Sequence, residues 1–79
     1  MNTYEQIDVT EFYGDGLRRR REEAGLDQET LAILVGVSKG TIYDYESGRR
    51  KPSIDVAINM HNVINRILDS KMYPYGRFN

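Results

Sequence analysis

The sequence predicts an all-α fold, a compact bundle of four to five helices, and three observations carry that expectation. Two short segments, 28–35 and 39–47, each lie between a residue suited to cap a helix N-terminus (Asp27, Ser38) and a glycine placed to end it (Gly36, Gly48). Leu26 and Val37, just before the caps, stand five positions ahead of Leu31 and Ile42, the spacing of a hydrophobic staple. After Ser53, the residues Ile54, Ala57, Met60, His61, Ile64 and Ile67 recur at helical spacing and form one apolar stripe.

Taken in order, residues 1–10 are polar and acidic without a period and read as an arm. A first helix is expected from about Glu11 or Tyr13 to Ala24, with Tyr13, Leu17, Arg21 and Ala24 on one face. Gly14 and Gly16 weaken its first turn, and Gly25 ends it. The second and third helices are separated by so few residues that they must pack on each other. Ala32 permits close approach, and Leu31, Val35, Val37, Ile42 and Tyr45 supply the shared apolar seam. Arg49, Arg50 and Lys51 then form a basic loop, across which Pro52 forbids helix continuation. Ser53 caps the fourth helix. No Gly or Pro follows until Pro74, so this helix either runs on to about Lys71, the course we favour, or turns at Asn65. The organisation is one domain, 11–71, between the acidic arm 1–10 and an aromatic tail 72–79.

Seventy-nine residues bury only a modest core. There is no cysteine, so disulfides and thiolate metal sites are excluded, and the lone His61 cannot hold a metal by itself. No cofactor is expected. No apolar run reaches membrane-spanning length and no signal peptide is visible, which leads to the expectation of a soluble, cytoplasmic protein with no membrane partner. Nucleophile–base pairs, paired acids and phosphate loops are lacking, so an enzyme is not expected. The net charge is −1, but its distribution is uneven. Residues 1–16 carry Glu5, Asp8, Glu11 and Asp15 and no Lys or Arg. Positive charge gathers at Arg18–Arg21 and again at Arg49–Lys51.

From about Leu17 to Ile64 the chain resembles the phage repressor and Cro-like DNA-binding domains, the Xre group. The residues that carry the resemblance are Gln28, Ala32, Gly36, the pair Ile42 and Tyr45, and the run Glu46-Ser47-Gly48-Arg49-Arg50-Lys51-Pro52-Ser53. It implies a lambda-repressor-like fold containing a helix-turn-helix, whose second helix enters the major groove of DNA. It also implies that Gln28 holds a phosphate at a helix N-terminus, that Arg49, Arg50 and Lys51 grip the backbone, and that Arg21 turns inward to pair with Glu46. The chain departs from the family at His61, where a small apolar residue is usual, and in lacking a glycine before a fifth helix.

Along the recognition helix, Ile42, Tyr45 and Glu46 turn inward, while Lys39, Gly40, Tyr43, Asp44 and Ser47 turn outward. Lys39 can donate to guanine O6 and N7, and Asp44 can accept from the cytosine amine. Gly40 suits close backbone approach. Tyr43 can stack, touch a thymine methyl or bond a phosphate. Ser38 and Thr41 serve the helix start first, and either hydroxyl can also meet a phosphate. The plain readings are a solvated lysine at 39, an acid repelled by phosphates at 44, a surface glutamine at 28 and a solvated basic loop at 49–51. Arg18, Arg19 and Arg20 read as solvent-facing, and His61 as half-buried at the core edge. Tyr73, Tyr75 and Phe78 either cover the core or meet a second subunit.

The expected function is that of a sequence-specific transcription regulator, a repressor acting as a homodimer on a palindromic double-stranded DNA operator. Its small size suggests a phage, prophage or plasmid protein. Two alternatives stand beside it: a protein-interaction module that has lost DNA binding, favoured by the net negative charge, and an antitoxin that represses its own operon.

Overall fold

In the computed structural model, residues 12–72 are described. They form four helices: α1 (Asp15–Glu23), α2 (Gln28–Val35), α3 (Lys39–Ser47) and α4 (Ile54–Met72). No strand occurs among the described residues. The chemistry at each helix end explains the boundaries. The Asp27 carboxylate accepts from the Thr30 N–H at 2.7 Å, and Ser38 Oγ accepts from the Thr41 N–H at 3.1 Å. Ser53 Oγ caps α4 through the Val56 N–H at 3.2 Å. Gly36 and Gly48 sit at φ 87° and 83°, a left-handed conformation that costs glycine little. There the Val37 N–H returns to Ala32 O and the Arg49 N–H to Asp44 O, closing the last turn of each helix.

The core gathers between the helices. Leu17 comes from α1, Leu31, Ala32 and Val35 from α2, Ile42 and Tyr45 from α3, and Ala57, Met60 and Ile64 from α4. Leu26 and Val37, the two residues ahead of the caps, pack against this cluster. α2 and α3 lie on each other, α1 covers α3, and α4 runs across α2 and α1. The Asn59 amide donates to Val35 O at 3.1 Å and ties α4 to the end of α2.

Three expectations need correction. First, α1 begins at Asp15 rather than at 11 or 13, because Gly14 takes φ 61° and its N–H leaves the helix for Tyr45 O at 2.7 Å. Tyr13 therefore lies outside the inward helical face, and Phe12, which the periodicity left out, is fully buried instead. Second, Ile54 opens the apolar stripe of α4 but is 46% exposed, because the chain has only just entered the helix there. Third, Arg20 is half-buried against α4 rather than simply solvent-facing. Its Nη2 donates to Asn65 Oδ1 at 2.7 Å, and its guanidinium lies 5.7 Å from the Phe12 ring centre.

α4 continues through Asn65 as one helix of 19 residues. Asn65 joins helices rather than breaking one. An arginine only donates, so the Asn65 oxygen faces Arg20 and its amide faces His61 Nε2 at 3.0 Å. His61 Nε2 must then accept, which places the proton of the neutral ring on Nδ1. The half-buried His61 ring meets Phe12 edge to face at 5.8 Å. Among the described residues, no helix is long and apolar enough to cross a membrane. The arm and Tyr73, Tyr75 and Phe78 lie outside the described residues.

Candidate nucleic-acid interface

The short turn between α2 and α3 brings the two helix starts to one face. Gln28 from α2 and Ser38, Lys39, Gly40, Thr41, Tyr43 and Asp44 from the start and outer side of α3 line an open concavity of about 610 Å³, with Arg50 at its rim. Eight of the ten sequence-chosen surface residues thus share one depression. Lys39 is exposed, Tyr43 is 53% exposed, and Gly40 lies in ordinary helical geometry with only Ser38 Oγ near a would-be Cβ, at 3.8 Å. The backbone at 40 is therefore open to approach without strain.

The polar groups along this rim are linked. Ser38 Oγ and Thr41 Oγ1 share a hydrogen bond at 2.9 Å, and Arg50 Nη1 donates to Thr41 Oγ1 at 3.4 Å. The Arg50 guanidinium also lies 5.7 Å from the Tyr45 ring centre. Arg49 stands outside the concavity beside Asp44, Nε to Oδ1 at 3.8 Å, so the one acid on the face has a counter-charge at hand. Lys51 lies elsewhere, its ammonium 5.6 Å from the Tyr13 ring centre.

Behind the face, Glu46 is a carboxylate only 4% exposed. Its charge is compensated by donors. Arg21 meets it in a fork, Nε to Oε2 at 2.5 Å and Nη2 to Oε1 at 3.1 Å, and Arg21 Nη1 donates to Leu26 O at 2.8 Å. Gln28 Nε2 also donates to Glu46 Oε1 at 3.1 Å, and Arg18 Nε lies 3.8 Å away. The hydrogen bonds to Glu46 hold the Arg21 guanidinium above its ordinary pKa, against the opposing pull of burial. The Thr30 N–H does the reverse to Asp27 and lowers its pKa below the usual carboxylate value. Gln28 therefore spends one amide proton inward while still lining the concavity. Sequence reasoning missed this use, as it missed Tyr13, whose hydroxyl donates to Gly48 O at 2.8 Å. The available signal was the φ-permissive Gly14 beside Tyr13, which frees that residue from α1.

Two capped helices joined by a left-handed glycine, with polar residues on the outer side of the second, define a helix-turn-helix protein of the Xre type. The chain belongs to this family, whose helix-turn-helix model matches residues 17–67. Similar proteins include a candidate HTH-type transcriptional regulatory protein of Pyrobaculum aerophilum, 34% identical over 59 residues, which cover 75% of this chain and 24% of the relative. One from Thermococcus kodakarensis, described in the same words, is 38% identical over 55 residues, 70% of this chain and 17% of the relative. An uncharacterized HTH-type transcriptional regulator of Methanothermobacter thermautotrophicus is 42% identical over 50 residues, 63% of this chain and 72% of the relative. The aligned parts amount to about a quarter or less of the first two relatives. No solved structure gives a significant match.

Proposed function

We propose that this chain is a sequence-specific DNA-binding transcription regulator, a repressor that acts in the cytoplasm as a homodimer on a palindromic operator, of phage, prophage or plasmid type. One observation carries the reading: Gln28, Lys39, Gly40, Tyr43 and Arg50 share one open face built on the start of α3. Lys39 and Tyr43 supply groups for base edges, and Gly40 lets the helix approach closely. Gln28, Ser38, Thr41, Arg49, Arg50 and Lys51 supply donors for phosphates on either side. Asp44 accepts from a cytosine amine while Arg49 screens it from the backbone. Two such helices on half-sites about one DNA turn apart, roughly 34 Å, give the length of sequence that one helix cannot read.

In-vitro selection of bound duplexes tests this directly. A two-fold symmetric consensus is expected, and binding to random duplex should fall steeply with salt. A flat salt response would leave the protein-interaction reading, which the net charge of −1 favours.

A further inference from the structure

Outside the concavity, one aromatic side chain touches both the recognition helix and the basic loop. Tyr13 precedes α1, yet its hydroxyl donates across 35 positions to Gly48 O, the residue that ends α3, at 2.8 Å. The next residue adds a second tie, the Gly14 N–H to Tyr45 O at 2.7 Å. Both carbonyls lie at the C-terminal end of α3, where Tyr45 O also accepts from the Gly48 N–H at 3.2 Å. Gly14 makes the pair of bonds possible. At φ 61° and ψ −140° its backbone directs its own N–H and the preceding side chain to the same helix end. Nothing lies within 4 Å of a would-be Cβ at Gly14, so backbone conformation and not crowding selects glycine there.

The outer side of the same ring carries a cation. Lys51 Nζ lies 5.6 Å from the Tyr13 ring centre, although Lys51 is exposed and belongs to the loop that leaves α3. An ammonium over an aromatic face is held by the ring quadrupole without losing its water or its charge. A flexible side chain is thereby restrained relative to α3.

We propose that Tyr13 is a positioning residue for DNA binding, its ring, seated against the end of the recognition helix, presenting the Lys51 ammonium at a fixed place beside that helix. The proposal rests on the DNA-binding reading above. It gives the segment ahead of α1 a part in the interface while Tyr13 itself never touches DNA. Ordering Lys51 before binding lowers the entropy cost when it meets a phosphate.

The test has two arms. In the free full-length chain, proton NMR should place the Lys51 Hε resonances upfield of an unhindered lysine, because they lie over the Tyr13 ring. Tyr13→Phe should keep that shift and Tyr13→Leu should abolish it. Unshifted Lys51 Hε protons in the wild type overturn the proposal, and unshifted protons in Tyr13→Phe do so even where Tyr13→Leu does not fold.

The second arm titrates random duplex with salt. Tyr13→Leu and Lys51→Ala should each weaken binding about two- to fivefold and flatten the log–log slope by up to ~0.9. The double variant should match Lys51→Ala, and Tyr13→Phe should restore the slope. Additive losses, or an unchanged Tyr13→Leu beside a wild type that binds, overturn the role of Tyr13 alone. A wild type with no salt-dependent binding overturns the DNA reading, and this role with it.

Discussion

Arg21 and Glu46, 25 positions apart, meet through two hydrogen bonds of 2.5 and 3.1 Å, and this fork fixes α1 against α3. The Glu46 side chain is 3% and the Arg21 side chain 12% exposed, so removing either one leaves its partner with little access to water. Arg21→Ala and Glu46→Ala are each expected to destabilise the fold by on the order of 2–4 kcal/mol, and the double variant by less than the sum. Urea unfolding of the four chains measures the coupling. Strictly additive losses would show that the fork contributes nothing beyond its separate side chains.

Asp27 makes a pH-dependent contribution of known sign. Its folded pKa is lowered, first by the hydrogen bond from the Thr30 N–H, so the charged form stabilises the folded chain. That stabilisation is complete above the ordinary value of 3.8 and is lost as pH falls through the lower folded value. The stability gap between wild type and Asp27→Ala should therefore hold steady above 3.8 and shrink below it. A gap that widens in acid would contradict the cap.

Asn65 offers a test of how α1 is held to α4. Its amide accepts from Arg20 and donates to His61, one side chain spanning both helices. Asn65→Ala removes both bonds from an exposed position and should cost about 0.5–2 kcal/mol. Thermal unfolding should move down by roughly 4–8 °C per kcal/mol in a domain of this size. An unchanged midpoint would mean that Phe12 and the apolar face of α4 hold the seam alone.

These cases mark what was legible in the sequence. α2 and α3 were readable to their ends because the information is local: Asp27, Ser38, Gly36 and Gly48 act within a turn of their own position. The outward set on α3 followed from the same periodicity. What stayed hidden depends on distant partners. Phe12 and Tyr13 look like helix residues until Gly14 leaves the helix to bond Tyr45, and no local pattern announces a bond across 31 positions. Arg20 looks solvent-facing because its partner, Asn65, is 45 positions away. At Asn65 the sequence leaves a turn open beside the favoured continuation, because its bond to Arg20 is equally distant along the chain. Gln28 looks outward-facing only, because its inward acceptor, Glu46, lies on another helix.

Lys39 is expected to carry base preference. It is exposed at the start of α3 on the shared concavity, where a groove-entering helix meets base edges first. Lys39→Ala should cost about 1–3 kcal/mol on the selected operator and relax preference at one base pair. Competition between operator and random duplex measures the difference. Equal loss on both would assign Lys39 to the phosphate backbone.

The loop after α3 should behave in the opposite way. Arg49, Arg50 and Lys51 are all exposed just after α3, with Arg50 bonded to Thr41 Oγ1, Arg49 near Asp44 and Lys51 set apart over the Tyr13 ring. Such charges meet phosphates, which carry no sequence information. Replacing all three with Ala should weaken operator and random duplex alike and flatten the log–log salt slope by about 0.9 for each phosphate no longer neutralised. Because Arg49 is the counter-charge to Asp44, its removal should add one effect that Arg50→Ala alone does not produce. An uncompensated Asp44 would repel the nearby backbone, so Arg49→Ala should weaken binding more than Arg50→Ala, and Asp44→Asn should recover the difference. An unchanged slope in the triple variant would remove the loop from the interface.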